Sequence, residues 1–320
     1  MVNGHLKVLV TGANGFVGSQ LVAHLRANSR HLVRGAVRSA SQDKNTDCFA
    51  VGAIDSQTDW SEALTGQDVV IHAAARVHVM QDEASDPLSA FREVNVAGTE
   101  NLARQAAQSG VRRFIFLSSI KVNGEHTPLG VPFSADDRPA PKDAYGTSKL
   151  EAEDALKQVS KETGMEIVIV RPPLVYGPGV KGNFASMVKL VAKGWPLPLG
   201  ATKNRRSFVA LDNLIDLIVT CIDHPAAASQ SFLVSDGEDL STSELFRRVA
   251  EALNKPSRLV PVPVVLLEIG ACLLGKKAIA ERLLGSLEID LSKTTTVLGW
   301  KPPISVSEGL KRCCENGGEI

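Results

Sequence analysis

Residues 7–18 read KVLVTGANGFVG, and the fold follows from this stretch. A short apolar run ends in glycines at positions 12, 15 and 18. Beyond them Val17, Leu21, Val22 and Leu25 fall on one face at helical spacing, which predicts a helix over 16–26. Gly12 permits a tight turn, Gly15 lets the backbone approach a pyrophosphate, and Gly18 allows the helix to pack closely on the sheet. The helix N-terminus offers unpaired amides to an anion. Glycine turns are common. The weight here lies in the placement, between a first strand and a first helix.

The rest of the first half repeats the alternation. Residues 31–38, 69–74 (VVIHAA), 113–118 (RFIFLS) and 166–171 (EIVIVR) read as strands. Helices are expected over 87–109 and 144–163, the former with Pro87 in its first turn and Asp86 as its cap. Continuous apolar runs imply strands covered on both faces, and strands separated by helices imply a parallel sheet. The expected fold class is therefore α/β, a Rossmann-like doubly wound parallel sheet with a smaller C-terminal lobe. After Pro172 prolines and glycines become frequent (PPLVYGPGVKGN, GWPLPLG), with helices over 212–224 and 241–253. The expected division is 1–171 for the dinucleotide and 172–320 mainly for substrate, with about 205–225 returning to the first domain.

Lys plus Arg and Asp plus Glu both number 35, so no net charge draws the chain to nucleic acid or an anionic surface. Five scattered cysteines without a C-x-x-C pair speak against a zinc or thioredoxin-like site and fit a reducing, cytoplasmic setting. No metal is expected. Cys313 and Cys314 read as residues of a last helix rather than a redox pair. The start runs straight into a strand, without a signal peptide. The most apolar stretch, 259–275, is shorter than the ~20 residues of a spanning helix and is broken by Pro261, Pro263 and Glu268. It predicts a buried or subunit-packing helix, with peripheral membrane contact as the lesser alternative.

Tyr145-Gly146-Thr147-Ser148-Lys149 begins a predicted helix, so Tyr145 and Lys149 share a face. A nearby ammonium would lower the tyrosine pKa from about 10 and fit the phenol for proton exchange with a sugar hydroxyl or ketone. Ser118-Ser119 ends the preceding strand, where a hydroxyl could meet the same oxygen. The second strand ends Val37-Arg38. An acidic residue for the adenosine ribose is missing there, and Arg38 could instead pair with a 2′-phosphate. That favours NADP(H), with NAD(H) possible. The other reading of Arg38 is a solvated surface arginine.

The glycine turn, HAAA (72–75), NVAGTENL (95–102), FLSSIKVNGE (116–125), YGTSK (145–149), RPPLVYGPG (171–179) and LGWKPPISVSEGL (298–310) together resemble the extended short-chain dehydrogenase/reductases. The chain is similar to their nucleotide-sugar epimerase/dehydratase branch over nearly its whole length. That resemblance implies Ser119, Tyr145 and Lys149 as catalytic residues, with Lys149 also on the nicotinamide ribose. It implies dinucleotide contacts at Gly12, Asn14, Gly15, Phe16, Val17, Gly18, Arg38, Ile54, Ala73, Ala74, Ala75, Asn95, Tyr145, Lys149 and Pro172. Substrate contacts are implied at His78, Ser119, Lys121, Asn183 and Arg206, of which Asn183 and Arg206 match positions that touch a nucleotide diphosphate. A homodimer is implied as well.

Departures narrow the chemistry. The 4,6-dehydratases of the branch carry Asp-Glu after the catalytic hydroxyl residue, and Ile120-Lys121 stands there instead, so water elimination is largely excluded. Lys121 has two readings: a substrate or oxyanion contact, or a salt bridge to Glu125, Asp136 or Asp137. His78 either lines the sugar pocket or is a packed or surface histidine. His72 is expected to serve packing in a strand. The first functional expectation is an NADPH-dependent 4-ketoreductase of a UDP-4-keto-6-deoxy-N-acetylhexosamine, making a surface-polysaccharide precursor. The second is a UDP-hexose or UDP-N-acetylhexosamine 4-epimerase with bound NAD. A non-catalytic dinucleotide sensor is the alternative of another class.

Overall fold

A computed structural model describes residues 5–28, 30–39, 48–77 and 86–315. Its apolar runs become the strands of one sheet: β1 (Lys7–Thr11), β2 (Leu32–Val37), β3 (Cys48–Ala50), β4 (Val69–His72), β5 (Arg113–Leu117), β6 (Glu166–Arg171) and, from the second half, β9 (Ser231–Leu233). All six pairings are parallel, in the order β3-β2-β1-β4-β5-β6-β9. The winding reverses between β1 and β4, where Thr11 pairs with His72. In such sheets the crevice beyond the strand ends at this reversal is the ligand position.

Helices cover both faces. Leu21 and Leu25 of α1 (Phe16–Asn28) and Leu214 and Ile218 of α7 (Leu211–Asp223) pack on one face. On the other lie α2 (Ser61–Leu64), α4 (Gly98–Gln108) and α5 (Ala144–Thr163), through Leu64, Leu102 and Leu156. Arg113, buried at the start of β5, donates to the carbonyls of Cys221 (2.8 Å) and His224 (2.9 Å), tying the end of α7 to the sheet.

A second, two-stranded sheet pairs β7 (Leu174–Tyr176) with β8 (Phe208–Ala210). Around it α6 (Gly182–Ala192), α8 (Thr242–Ala252) and α12 (Val306–Glu315) enclose a core of Tyr176, Phe184, Phe246 and Leu310. Between them come α9 (Val264–Leu273), α10 (Lys277–Leu284) and α11 (Ser292–Leu298). Cys313 and Cys314 are buried on α12. Burial pushes the Cys313 thiol up to about 12, which keeps it protonated and unreactive.

Two expectations change. The helix predicted over 87–109 starts as foreseen, with Asp86 accepting from the Ser89 amide (3.2 Å). It then divides into α3 (Pro87–Arg92), a π-helical turn over Glu93–Ala97, and α4. The stretch expected to be a buried or subunit-packing helix becomes α9, which has no buried residue in this chain.

Candidate active site

The glycine turn is held from both sides. Gly12 has φ +67°, and a β-carbon there would lie 2.9 Å from the Ala74 backbone. A β-carbon on Gly18 would lie 2.1 Å from the Gly12 carbonyl oxygen. Gly15 donates to that same oxygen (2.8 Å), and the Ala74 amide donates to the Thr11 hydroxyl (3.3 Å). Asn14 and Gly15 stay exposed on the open side of the turn, and the first amides of α1 have no intrahelical acceptor. These features fit a dinucleotide diphosphate at the sheet's reversal point. His72, the last residue of β4, sits between the hydroxyls of Thr11 (2.7 Å) and Thr99 (3.0 Å). Burial, and secondarily the Lys149 charge, lower its pKa to about 3, so it is a neutral packing histidine. Ile54 packs against Gly98, where a β-carbon would come within 2.7 Å of its Cγ2 atom. Arg38 is exposed just past β2. His78 lies outside the described residues.

Asp143 caps α5, accepting from the Gly146 amide at 2.7 Å. Gly146 abuts the turn after β5: a β-carbon there would be 2.9 Å from the Lys121 carbonyl oxygen. This contact sets the first turn of α5 against the turn that follows Ser119. Asn95, buried in the π turn, donates to the Ser148 hydroxyl (3.0 Å), which donates to the Tyr145 carbonyl (2.8 Å). Asn95 also accepts from the Arg76 amide at 2.8 Å. One asparagine thus joins the loop after β4 to the catalytic-helix candidate. Pro172 serves the same region, its carbonyl accepting from the Ile120 amide (2.9 Å).

Lys149 is buried. It donates to the Leu117 carbonyl (2.9 Å) and lies 4.5 Å from the Phe116 ring centroid and 6.0 Å from that of Tyr145. The expected lowering of the tyrosine pKa is reversed in the protein by itself. Burial, followed by the Asp143 carboxylate, pushes Tyr145 up to about 12. Burial lowers Lys149 to about 7, against the opposing pull of Glu153. Desolvation outweighs the attraction assumed from the i, i+4 spacing.

A cavity of about 390 Å³ lies between the sheet end and the second lobe, within the range of small-ligand sites. It brings together Ser119, Lys121, Asn183 and Arg206 as expected, and adds His126 and Arg282. Tyr145, Lys149, Arg38 and Ile54 are not part of this wall; the start of α5 meets it only where Gly146 abuts the Lys121 backbone. Arg206 is largely enclosed and donates to the Gly285 carbonyl (3.0 Å), whereas Arg205 pairs with Asp239 and Glu288 (both 3.3 Å). Asn183 is exposed in the first turn of α6.

Strand geometry does not continue through Lys121, because Ile120–Val122 forms a 3-10 turn. Its ammonium pairs with Glu125 (3.2 Å) and with Asp143. Of the other acids considered, Asp136 pairs with Lys293 and Asp137 accepts from the Ser134 amide. Asp143 and Arg282 were missed by the sequence reading. A cap signal (Asp before an apolar run) could have found the first; nothing in the spacing around Arg282 marks it.

The chain belongs to the NAD dependent epimerase/dehydratase family, which it matches over residues 8–234, and so to the extended short-chain dehydrogenase/reductases. It is 53% identical over 309 residues to a UDP-glucose 4-epimerase of Vibrio cholerae, covering 96% of this chain and 94% of that one. It is 30% identical over 331 residues to an N-acetyl-alpha-D-glucosaminyl-diphospho-ditrans,octacis-undecaprenol 4-epimerase of Escherichia coli O157:H7, covering 95% and 93%. The solved UDP-glucose 4-epimerase of Thermus thermophilus, in complex with NAD, superimposes with a TM-score of 0.76 at 25% identity, over 98% of this chain and 100% of that one. The family is one of NAD-dependent enzymes. These relatives back the epimerase expectation over the ketoreductase, and they lend no support to the NADP(H) preference drawn from Arg38.

Proposed function

We propose that this chain is a 4-epimerase of a UDP-hexose or UDP-N-acetylhexosamine, working with resident NAD. The observation that carries this reading is the near-full-length likeness to the V. cholerae UDP-glucose 4-epimerase, in a chain that keeps Ser119, Tyr145 and Lys149. NAD, when bound, supplies a reversible oxidant for C4. Gly12, Gly15 and the first turn of α1 would hold its diphosphate, and Lys149 its nicotinamide ribose. Tyr145 exchanges the proton of the sugar O4 as that carbon passes between alcohol and ketone, and the Ser119 hydroxyl hydrogen-bonds the same oxygen. Asn95 fixes the backbone of Tyr145 through Ser148. Arg206, Arg282 and Asn183 take the substrate diphosphate, for which a guanidinium fork is suited. On this reading residues 1–171 mainly hold the dinucleotide and 172–320 the nucleotide sugar.

The test has two parts. Denaturing the purified protein should release NAD. Incubation with UDP-glucose or UDP-galactose, and with their N-acetyl counterparts, should give both C4 epimers of at least one pair by chromatography. Tyr145→Phe should lower kcat by about 10²–10⁴-fold while NAD is retained. Stoichiometric NADPH oxidation with a UDP-4-keto-6-deoxy sugar, and no interconversion of epimers, would instead establish the ketoreductase.

A further inference from the structure

Among the described residues, α9 gathers several exposed large apolar side chains on one short helix. Val265, Leu266, Ile269 and Leu273 fall within roughly 100° of arc, and all face solvent, with Leu273 83% exposed. Leu274 continues the stripe beyond the helix, at 73%. The inward positions are Val264, Leu267, Gly270 and Ala271, of which Leu267 touches the second-lobe core. The lead-in to α9 pairs with the loop carrying Trp195: Leu197 donates to the Arg258 carbonyl (2.9 Å) and Val260 to the Leu197 carbonyl (2.8 Å). Trp195 is exposed, with the Lys193 ammonium 5.5 Å from its ring centroid.

Charge is distributed unevenly around this stripe. The whole chain is neutral, yet residues 255–285, Arg282 of the cavity wall apart, carry four basic side chains (Lys255, Arg258, Lys276, Lys277) against Glu268 and Glu281, the last of which pairs with Lys277 (3.7 Å). The α9–α10 hairpin also borders the substrate cavity. A second hollow between the two helices is lined by Ile269, Cys272 and Lys277 together with His126, which lines the substrate cavity too.

We propose that α9, with the Trp195 loop, docks the enzyme on the interface of an anionic phospholipid bilayer. An apolar stripe followed at once by Lys276 and Lys277, with an exposed tryptophan and Lys193 on the neighbouring loop, matches the chemistry of a helix lying in the headgroup plane. Lysine and arginine near such a surface gain from its negative potential. Ten residues cannot span the ~20-residue thickness of a bilayer, so α9 lies flat. A second copy of the chain suits the face less well, because a two-fold contact would bring the same net positive segment against itself. The proposal goes beyond the epimerase reading and does not depend on it.

The test is co-sedimentation of the full chain with vesicles of phosphatidylglycerol and phosphatidylethanolamine, beside vesicles of phosphatidylcholine alone. The wild type should bind the anionic vesicles more tightly than the neutral ones, and less at high salt. Leu266→Asp/Leu273→Asp should weaken binding at least about tenfold with an unchanged melting temperature and elution volume. Wild-type protein left in the supernatant, or a variant that binds equally well, overturns the proposal. A variant that passes from dimer to monomer also overturns it and assigns the face to a second copy.

Discussion

Lys149, Glu153 and Arg171 are three charged side chains buried side by side behind the candidate site. Both oxygens of Glu153 are used: one accepts from Ser118 (2.6 Å) and from Arg171 Nε (2.8 Å), the other from a terminal Arg171 nitrogen (2.5 Å). Removing one partner of a buried pair leaves the other charge uncompensated. Glu153→Ala should therefore cost about 3–5 kcal/mol in urea unfolding, and adding Arg171→Met should recover part of it; equal stability of Glu153→Ala and wild type would contradict this. Lys149 gives a pH signature. Its folded pKa of about 7 lies below the ordinary lysine value of 10.5, so between those limits the unfolded chain binds a proton that the folded chain does not. Stability attributable to this residue rises as pH climbs from 7 to 10.5, and below 7 the full penalty of burying the ammonium applies, up to about 5 kcal/mol. Lys149→Met should thus melt higher than wild type at pH 6–7, with the gap closing towards the alkaline limit. A gap constant with pH would count against it. The sequence placed Tyr145 and Lys149 on one face but not the sign of the tyrosine shift, because spacing reports proximity whereas desolvation depends on everything packed around the pair.

At the level of elements the glycine turn is the least forgiving part. Gly18→Ala sets a β-carbon against the Gly12 carbonyl, backbone that cannot rotate away, so α1 must shift from β1. We expect Gly18→Ala to lose NAD and to melt several degrees lower, by about 1–3 kcal/mol of overpacking; Gly52→Ala, where the added carbon meets nothing within 4 Å but the backbone has φ +75°, should keep NAD. Retention of NAD by Gly18→Ala would show that the helix has room to adjust. The turn, β1, β4, β5, β6 and the start of α3 were legible because a glycine triplet, continuous apolar runs and the Asp86 cap are local signals. The strands β3 and β9 were not, since three residues carry no periodicity and gain their place only from a neighbour's edge. The π turn was hidden for a related reason: EVNVA keeps a helical pattern, and its widening is visible only once Asn95 reaches Arg76 and Ser148. Lys121 makes the salt bridge to Glu125 that its spacing offered, but its second partner, the Asp143 cap of α5, lies 22 residues away and had no local signal.

Across the whole molecule the sequence suggested a change at Pro172, and the chain does build a second core after it. The sheet, however, is finished by residues well beyond that point. Ile169, Val170 and Arg171 pair with Ser231, Phe232 and Leu233, and Arg113 holds the end of α7 beside them. A fragment of residues 1–171 should consequently be recovered as aggregate rather than monomer on size exclusion, since β6 would present an open apolar edge; a soluble, cooperatively melting fragment would refute this. The same late strand puts a clock on the chain's birth. About 60 residues separate the end of β6 from the start of β9, roughly 3–12 s of synthesis at 5–20 residues per second. Through that interval the nascent sheet has a sticky margin that only its own unmade continuation can close. Slow codons or a stalled ribosome between those two strands would lengthen the exposure, and a cell making this protein quickly would lose less of it.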